Sequence, residues 1–131
     1  KSLDRSTFGP ALLDRLYPRL SRAALPDALA TLAELTARSL RLSALARAPG
    51  PLMEVIVSGG GALNLHLMRR LATLFSPVPV LSSASRGMPV MAKEAACFAW
   101  LAARALRGLP NNAPFATGAA GPRVLGKIVP A

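Results

Sequence analysis

Apolar residues along this chain of 131 residues change their spacing several times, and each change marks an element. Between Pro10 and Leu20 the leucines at 12, 13 and 16 predict a short helix with those three side chains inward. From Pro26 the series Leu29, Leu32, Ala33, Thr36 and Leu40 keeps a helical period to about Arg47. Proline suits a helix's first turn, and Asp27 suits its positive end. Ala48-Pro49-Gly50-Pro51 then stops the pattern. The period shortens over Glu54 to Ser58, where Val55-Ile56-Val57 reads as a strand. A helical pattern returns after Asn64, with Leu67, Leu71 and Leu74 on the core face and Pro77 as its breaker. Val78-Pro79-Val80-Leu81 reads as a second short strand, at an edge because of its proline. After the polar loop Ser82 to Gly87, Pro89 leads into the last strong helix, with its body from Ala92 to Leu106. That helix is apolar nearly all round and is therefore expected to be buried. Leu109 to Pro122 is a loop, and Val124 to Val129 predicts a closing strand.

Helices alternating with short strands imply an α/β layer: a small sheet flanked by helices near 26 to 47, 64 to 75 and 91 to 107. Two or three short strands make a thin sheet for a complete α/β domain, and Lys1 to Gly9 is polar, turn-like and uncapped. The chain therefore reads as a helix-rich fragment. Hydrophobic residues make up 52%, which excludes a disordered chain, and aromatics only 5%, so helices should dominate the packing. No apolar stretch reaches the length of a membrane span without a charge, and the start lacks a signal peptide, so a cytoplasmic protein is expected. One cysteine, Cys97, excludes an internal disulfide and every multi-cysteine metal site. With His66 the single histidine, no metal site is expected. Cys97 reads as buried packing in an apolar helix, and His66 as a solvated side chain.

The net charge of +10 would suit a nucleic-acid binder. The basic residues, however, are mostly arginines scattered along helices. Arg15, Arg19 and Arg22 come nearest to a stripe, and Tyr17 is the only aromatic among them. No stacking platform is visible, so a solvated basic face is favoured and nucleic acid is not expected as a partner. A basic helical nucleic-acid module remains a rival reading. Its affinity would fall steeply with salt, and it would have no need of a glycine loop.

The chemistry that needs explaining lies at Gly59-Gly60-Gly61, where a β-branched run stops and a helical pattern follows. Glycine turns sharply and lets a ligand approach bare backbone. A helix opening there would present unpaired N–H groups and a positive dipole end to a phosphate. The run matches neither GxGxxG nor GxxxxGK[ST], and a tight turn between strand and helix explains it equally well. Asn64 fits an N-cap or a nucleotide contact. Glu94 begins an otherwise apolar helix, where a carboxylate needs water, a partner or a ligand, or serves the first turn's dipole.

Several motifs resemble the anhydro-N-acetylmuramic acid kinases. Val57-Ser58-Gly59-Gly60-Gly61-Ala62-Leu63-Asn64, with Leu67-Met68-Arg69-Arg70-Leu71 behind it, is similar to that family's glycine segment. Lys93-Glu94-Ala95 and Phe98-Ala99-Trp100-Leu101-Ala102 resemble its EA-x-x-FA-x-LA helix. Gly108-Leu109-Pro110-Asn111-Asn112-Ala113-Pro114, then Thr117-Gly118-Ala119 and Val124-Leu125-Gly126-Lys127-Ile128, resemble its C-terminal signature. Lys1-Ser2 and the helix from Ala30 to Ser39 match more weakly. The motifs cover nearly the whole chain in the family's order.

The resemblance implies a ribonuclease-H-like, actin-like ATPase lobe: residues 1–131 as the C-terminal lobe of a two-lobed sugar kinase. The N-terminal lobe, with its phosphate loop and the aspartate that serves as base, would be a missing partner. Asp4, Asp14 and Asp27 lie in no matching motif, so no catalytic residue is expected in this chain. The implied reaction moves the ATP γ-phosphate, with Mg2+, to anhydro-N-acetylmuramic acid while water opens the anhydro ring. It yields N-acetylmuramic acid 6-phosphate in peptidoglycan recycling. Gly59, Gly60, Gly61 and Asn64 would then serve the nucleotide, and Glu94 the amino sugar. The residues before Glu94, Pro89 to Ala92, are less polar than many members show. One lobe alone is expected to be inert, and a homodimer is compatible with the resemblance. A non-catalytic actin-fold lobe is the other rival.

Overall fold

The computed structural model describes residues 9–18, 21 and 24–129. The expectations for residues 1–8, including the Lys1-Ser2 likeness, lie outside that range, as do Arg19, Leu20 and Arg22. Contacts divide the chain into two units: Lys1–Val55 with Asn64–Val80, and Ile56–Leu63 with Leu81–Ala131.

In the first unit, α1 spans Pro10–Leu16 and α2 spans Leu25–Arg47, close to the ranges read from sequence. The helix α3, Leu65–Phe75, packs extensively against α2. Asn64 caps α3 in an extended conformation, its side-chain oxygen accepting the Leu67 N–H at 3.1 Å. Leu67, Leu71 and Phe75 are buried, with Leu74 half-buried, so the predicted core face of α3 is the observed one.

The face of α2 is shifted from the expected one. Ala28 and Ala37 are buried, Leu32 and Ala33 are half-buried, and Leu29, Thr36 and Leu40 are exposed. An alanine's small side chain is covered completely by little neighbouring surface, so the two alanines are the buried positions while the leucines stay at least partly exposed. In α1, Leu12 is half-buried while Leu13 and Leu16 are exposed, against the expectation that all three point inward. Its seven residues carry no buried side chain.

Polar latches join α2 to α3. Glu34 accepts from Arg70 Nε at 2.7 Å and from Arg70 Nη2 at 3.0 Å, and also from Arg38 Nε at 2.7 Å. Arg41 Nε donates to the Leu74 carbonyl at 2.8 Å. The Arg70 hydrogen bond first, then that of Arg38, lowers the Glu34 pKa from 4.5 to about 2. The same contact raises that of Arg70.

The strands β1, Val55–Val57, and β2, Val80–Ser82, form a two-stranded parallel sheet. The second lies slightly later than its predicted range. The Val55 N–H donates to the Pro79 carbonyl at 2.9 Å. The chain is thus a helix-rich α/β fragment.

The second unit is built differently. Its long helix α4, Lys93–Leu106, has no buried residue, which overturns the expectation of deep burial. Phe98 is 70% exposed and Leu106 71%. Cys97 is exposed too, against the reading of it as buried packing. An apolar surface predicts burial only where another layer covers it, and no described element packs extensively on α4.

The closing strand predicted at 124–129 does not form. Asn111, only 7% exposed, takes its place as organiser. Its Nδ2 donates to the carbonyls of Leu101 and Leu125 at 3.1 and 2.9 Å, and its Oδ1 accepts the Leu125 N–H at 2.6 Å. Leu125 therefore bonds a side chain through both backbone groups, and Gly126 at φ 117 departs from strand geometry. Asn112 repeats the device with Gly121 and Arg123, beside the short α5, Pro114–Thr117.

Candidate functional site

Two of the three predicted glycines, Gly59 and Gly60, meet the predicted carboxylate in the second unit, and Gly61 is not among the residues lining that site. A small cavity of about 170 Å³ is lined by Ser58, Gly59, Gly60, Val90, Met91, Lys93 and Glu94. One backbone hydrogen bond accounts for the meeting: the Gly59 N–H donates to the Val90 carbonyl at 2.6 Å. That bond draws the turn after β1 onto the segment that opens α4. The Ala92 N–H bonds the Pro89 carbonyl at 2.9 Å, folding this segment into a turn just before Lys93 and Glu94.

The glycines divide the work. Gly59 has φ 78, a left-handed conformation that glycine adopts without strain. Its N–H donates to the Val90 carbonyl, so in this structure it shapes the turn. Gly60 is exposed, and a Cβ there would meet nothing within 4 Å, so open space lies over its backbone. Among the described residues the N–H groups of Gly60 and Gly61 donate no hydrogen bond. The α-helix expected at once behind the glycines begins at Leu65, after a 3-10 turn, Gly60–Leu63, that includes Gly60 and Gly61 themselves. The α3 dipole therefore does not begin at the glycine turn itself.

Asn64 belongs to the other unit. There it lines a cavity of about 250 Å³ with Pro26, Leu29, Ala30, Ala33 and His66, while its side chain caps α3. Of its two open readings, the structure supplies the N-cap.

Glu94 and Lys93 are exposed, and neither side chain has a hydrogen bond or ion pair among the described residues. Glu94 is the only carboxylate in the second unit's stretches 56–63 and 81–131. A free carboxylate and a free ammonium beside open backbone can hold a polar ligand through hydroxyl donors and an oxyanion together. Sequence reasoning passed over Lys93, whose signal was its place directly before Glu94. It also passed over the Val90 carbonyl, whose partner no local pattern announces.

A larger cavity of about 490 Å³ lies between α4 and residues 125–128. Its walls are Phe98, Leu101, Ala102, Ala105, Leu106, Leu125 and Ile128, with Asn111, Gly126 and Lys127. Asn111 is already bonded, so this groove carries little chemistry beyond apolar contact. Among the described residues no three His, Cys, Asp or Glu side chains gather to hold a metal ion. No helix among them is long and apolar enough to cross a membrane.

An α/β fragment that gathers a glycine turn, a carboxylate and a lysine in one small pocket fits a binder of phosphorylated or polyhydroxylated small molecules. The chain matches the anhydro-N-acetylmuramic acid kinase family over residues 1–131, and it belongs to that family. It is 48% identical to the anhydro-N-acetylmuramic acid kinase of Cupriavidus pinatubonensis, over 99% of this chain and 35% of the relative. It is 45% identical to that of Pseudomonas paraeruginosa, over 100% of this chain and 36% of the relative. With that of Salinibacter ruber the identity is 42%, over 98% and 33%. The chain spans about a third of the length of the curated relatives it matches.

Proposed function

We propose that this chain is one wall of the active site of an ATP-dependent kinase acting on anhydro-N-acetylmuramic acid. It is the second, ribonuclease-H-like lobe of that enzyme, with the other lobe supplying the base and the rest of the phosphate site. The product is N-acetylmuramic acid 6-phosphate, which places the reaction in the cytoplasm and in peptidoglycan recycling. The observation that carries this reading is the shared pocket of Gly60 and Glu94. A bare backbone approach and a free carboxylate are what a phosphate-bearing nucleotide and a hydroxyl-bearing sugar respectively require. Glu94 orients sugar hydroxyls, an effect of position more than of proton transfer. Gly60 and Gly61 leave room and N–H donors for nucleotide phosphate. Asn64 acts on the nucleotide only through the helix it caps. No residue of this chain is assigned to Mg2+, which would be held mainly by the ATP phosphates. It would supply charge neutralisation at the transferring group.

Phosphoryl transfer depends on charge stabilisation from every side of the reacting group. The 131-residue chain alone is therefore inert, and further polypeptide covers the exposed Phe98, Trp100 and Leu106 of α4. The test is a hybrid kinase in which these 131 residues replace the matching third of the Cupriavidus relative. ATP-dependent phosphorylation of anhydro-N-acetylmuramic acid by the hybrid, and not by the chain alone, is expected. A well-folded hybrid with no such activity, or turnover by the chain alone, would overturn the reading.

A further inference from the structure

We propose that Lys93 is the anion-binding residue of this site, taking an oxyanion of the same ligand complex whose hydroxyls Glu94 takes. The inference rests on the pocket reading above and adds a residue that it left without a role. Lys93 and Glu94 are the two charged side chains among the pocket's lining residues. They stand side by side at the start of α4, yet no ion pair joins them, and neither has another partner among the described residues. A lysine and a glutamate that neutralise each other need nothing further. Left separate on one cavity, they present a divided surface, with a cation and an anion for different parts of a ligand.

The Ser58 side of the same cavity and the open Gly60 backbone add neutral polar groups and space, not charge. Every other basic residue of the second unit's described stretches, Arg86, Arg104, Arg107, Arg123 and Lys127, is absent from the pocket lining. Lys93 alone supplies positive charge there.

Two oxyanions have the matching chemistry: the carboxylate of an acidic amino sugar and a phosphate of the nucleotide. Lysine serves either as a point charge with three rotatable donors, without the planar fork of arginine. A hydrogen bond to a charged group is strong enough to change turnover efficiency by about tenfold to hundredfold when removed.

The experiment uses the hybrid kinase with Lys93→Met, which keeps length and removes charge, with Lys93→Arg, which keeps charge, and with Glu94→Gln. Kinetics are recorded with sugar and ATP varied in turn, alongside a melting curve. The acidic sugar is compared with the anhydro-N-acetyl sugar that lacks the lactyl carboxylate. If Lys93 takes the sugar carboxylate, Lys93→Met lowers kcat/KM for the acidic sugar about tenfold or more and abolishes discrimination against the neutral analogue. If it takes phosphate, the KM for ATP rises by a similar factor and the discrimination stays. In both cases Lys93→Arg retains most activity and the melting temperature is unchanged. Wild-type parameters for both substrates in Lys93→Met, with Glu94→Gln impaired, would overturn the role of Lys93 alone. A loss in Lys93→Met that Lys93→Arg shares, or that follows a lowered melting temperature, also counts against it. Wild-type kinetics in all three variants would remove the pocket reading itself.

Discussion

The two units of the chain hold themselves together by opposite means. In the first, α2 packs on α3 along a seam braced by the Glu34–Arg70 pair, and Ala28, Ala37, Leu67, Leu71 and Phe75 of these helices are buried. In the second, no apolar side chain among the described residues is buried. Its buried residues are the polar Ser83 and Asn111, and its longest helix presents aromatic and aliphatic side chains outward. The candidate pocket lies in this second unit. Apolar burial scales with the surface removed from water, whereas a few side-chain-to-backbone bonds fix geometry with a smaller net gain. The comparison teaches that packing strength and candidate chemistry sit in different parts of this polypeptide. Such segregation is expected where ligand loops come from the less stable end of a fold.

The widest difference should appear on removing Leu71, which is 1% exposed. Leu71→Ala is expected to destabilise the first unit by about 2–5 kcal/mol, the range for emptying a packed leucine site. Chemical denaturation of the 131-residue chain measures it, and a loss below about 1 kcal/mol would break the claim that the seam is the main source of stability. Asn111→Ala strips three hydrogen bonds from the second unit and is expected to cost about 1–3 kcal/mol. Hydrogen exchange should show the loss at Leu125 first, whose amide loses its acceptor. Unchanged protection there would mean that residues 122–129 are held by something else.

Acid separates the units in another way. The folded pKa of Glu34 lies below the ordinary 4.5, so the unfolded chain takes up the proton first as pH falls. The stability from this carboxylate is whole above 4.5, declines from there towards about 2, and is gone below that. Thermal melts across this window should show a decline that Glu34→Gln flattens. An identical slope in that variant would exclude the ion pair as its source. The smallest effect is expected at Phe98, where Phe98→Ser should change the chain's stability by no more than about 0.5 kcal/mol, as at other exposed positions. A larger loss would mean that α4 is covered after all.

Legibility followed the same division. The first unit was readable because local signals and packing agree there. Pro26 and Asp27 open α2, Asn64 caps α3, and Leu67 and Leu71 recur on its core face. The phase of α2 and the face of α1 escaped: hydropathy ranks leucine above alanine, yet the buried residues of α2 are two alanines, and α1 carries no buried side chain. The second unit was less readable because its order comes from contacts distant in sequence. Nothing in Val124 to Val129 announces that Asn111 will bind Leu125 in place of a strand partner. The apolar pattern of α4 pointed to deep burial, which the structure does not show, because a pattern cannot say whether this chain supplies the covering layer. Gly59, Gly60 and Glu94 stood out by residue type, and their meeting came from a Gly59–Val90 bond that no motif encodes.

The central claim is that the cavity at Gly60 and Glu94 binds ligand, and Gly60→Val in the hybrid kinase tests it most directly. A Cβ there meets nothing within 4 Å beyond its chain neighbours and Gly60 lacks a positive φ, so folding should be little affected. The added methyl groups would instead enter the space where a ligand must approach bare backbone. The account predicts an unchanged melting temperature with kcat/KM lowered by about tenfold or more, since small displacements of bound substrate are costly to turnover. An unchanged melting temperature with wild-type kinetics for both substrates would contradict it.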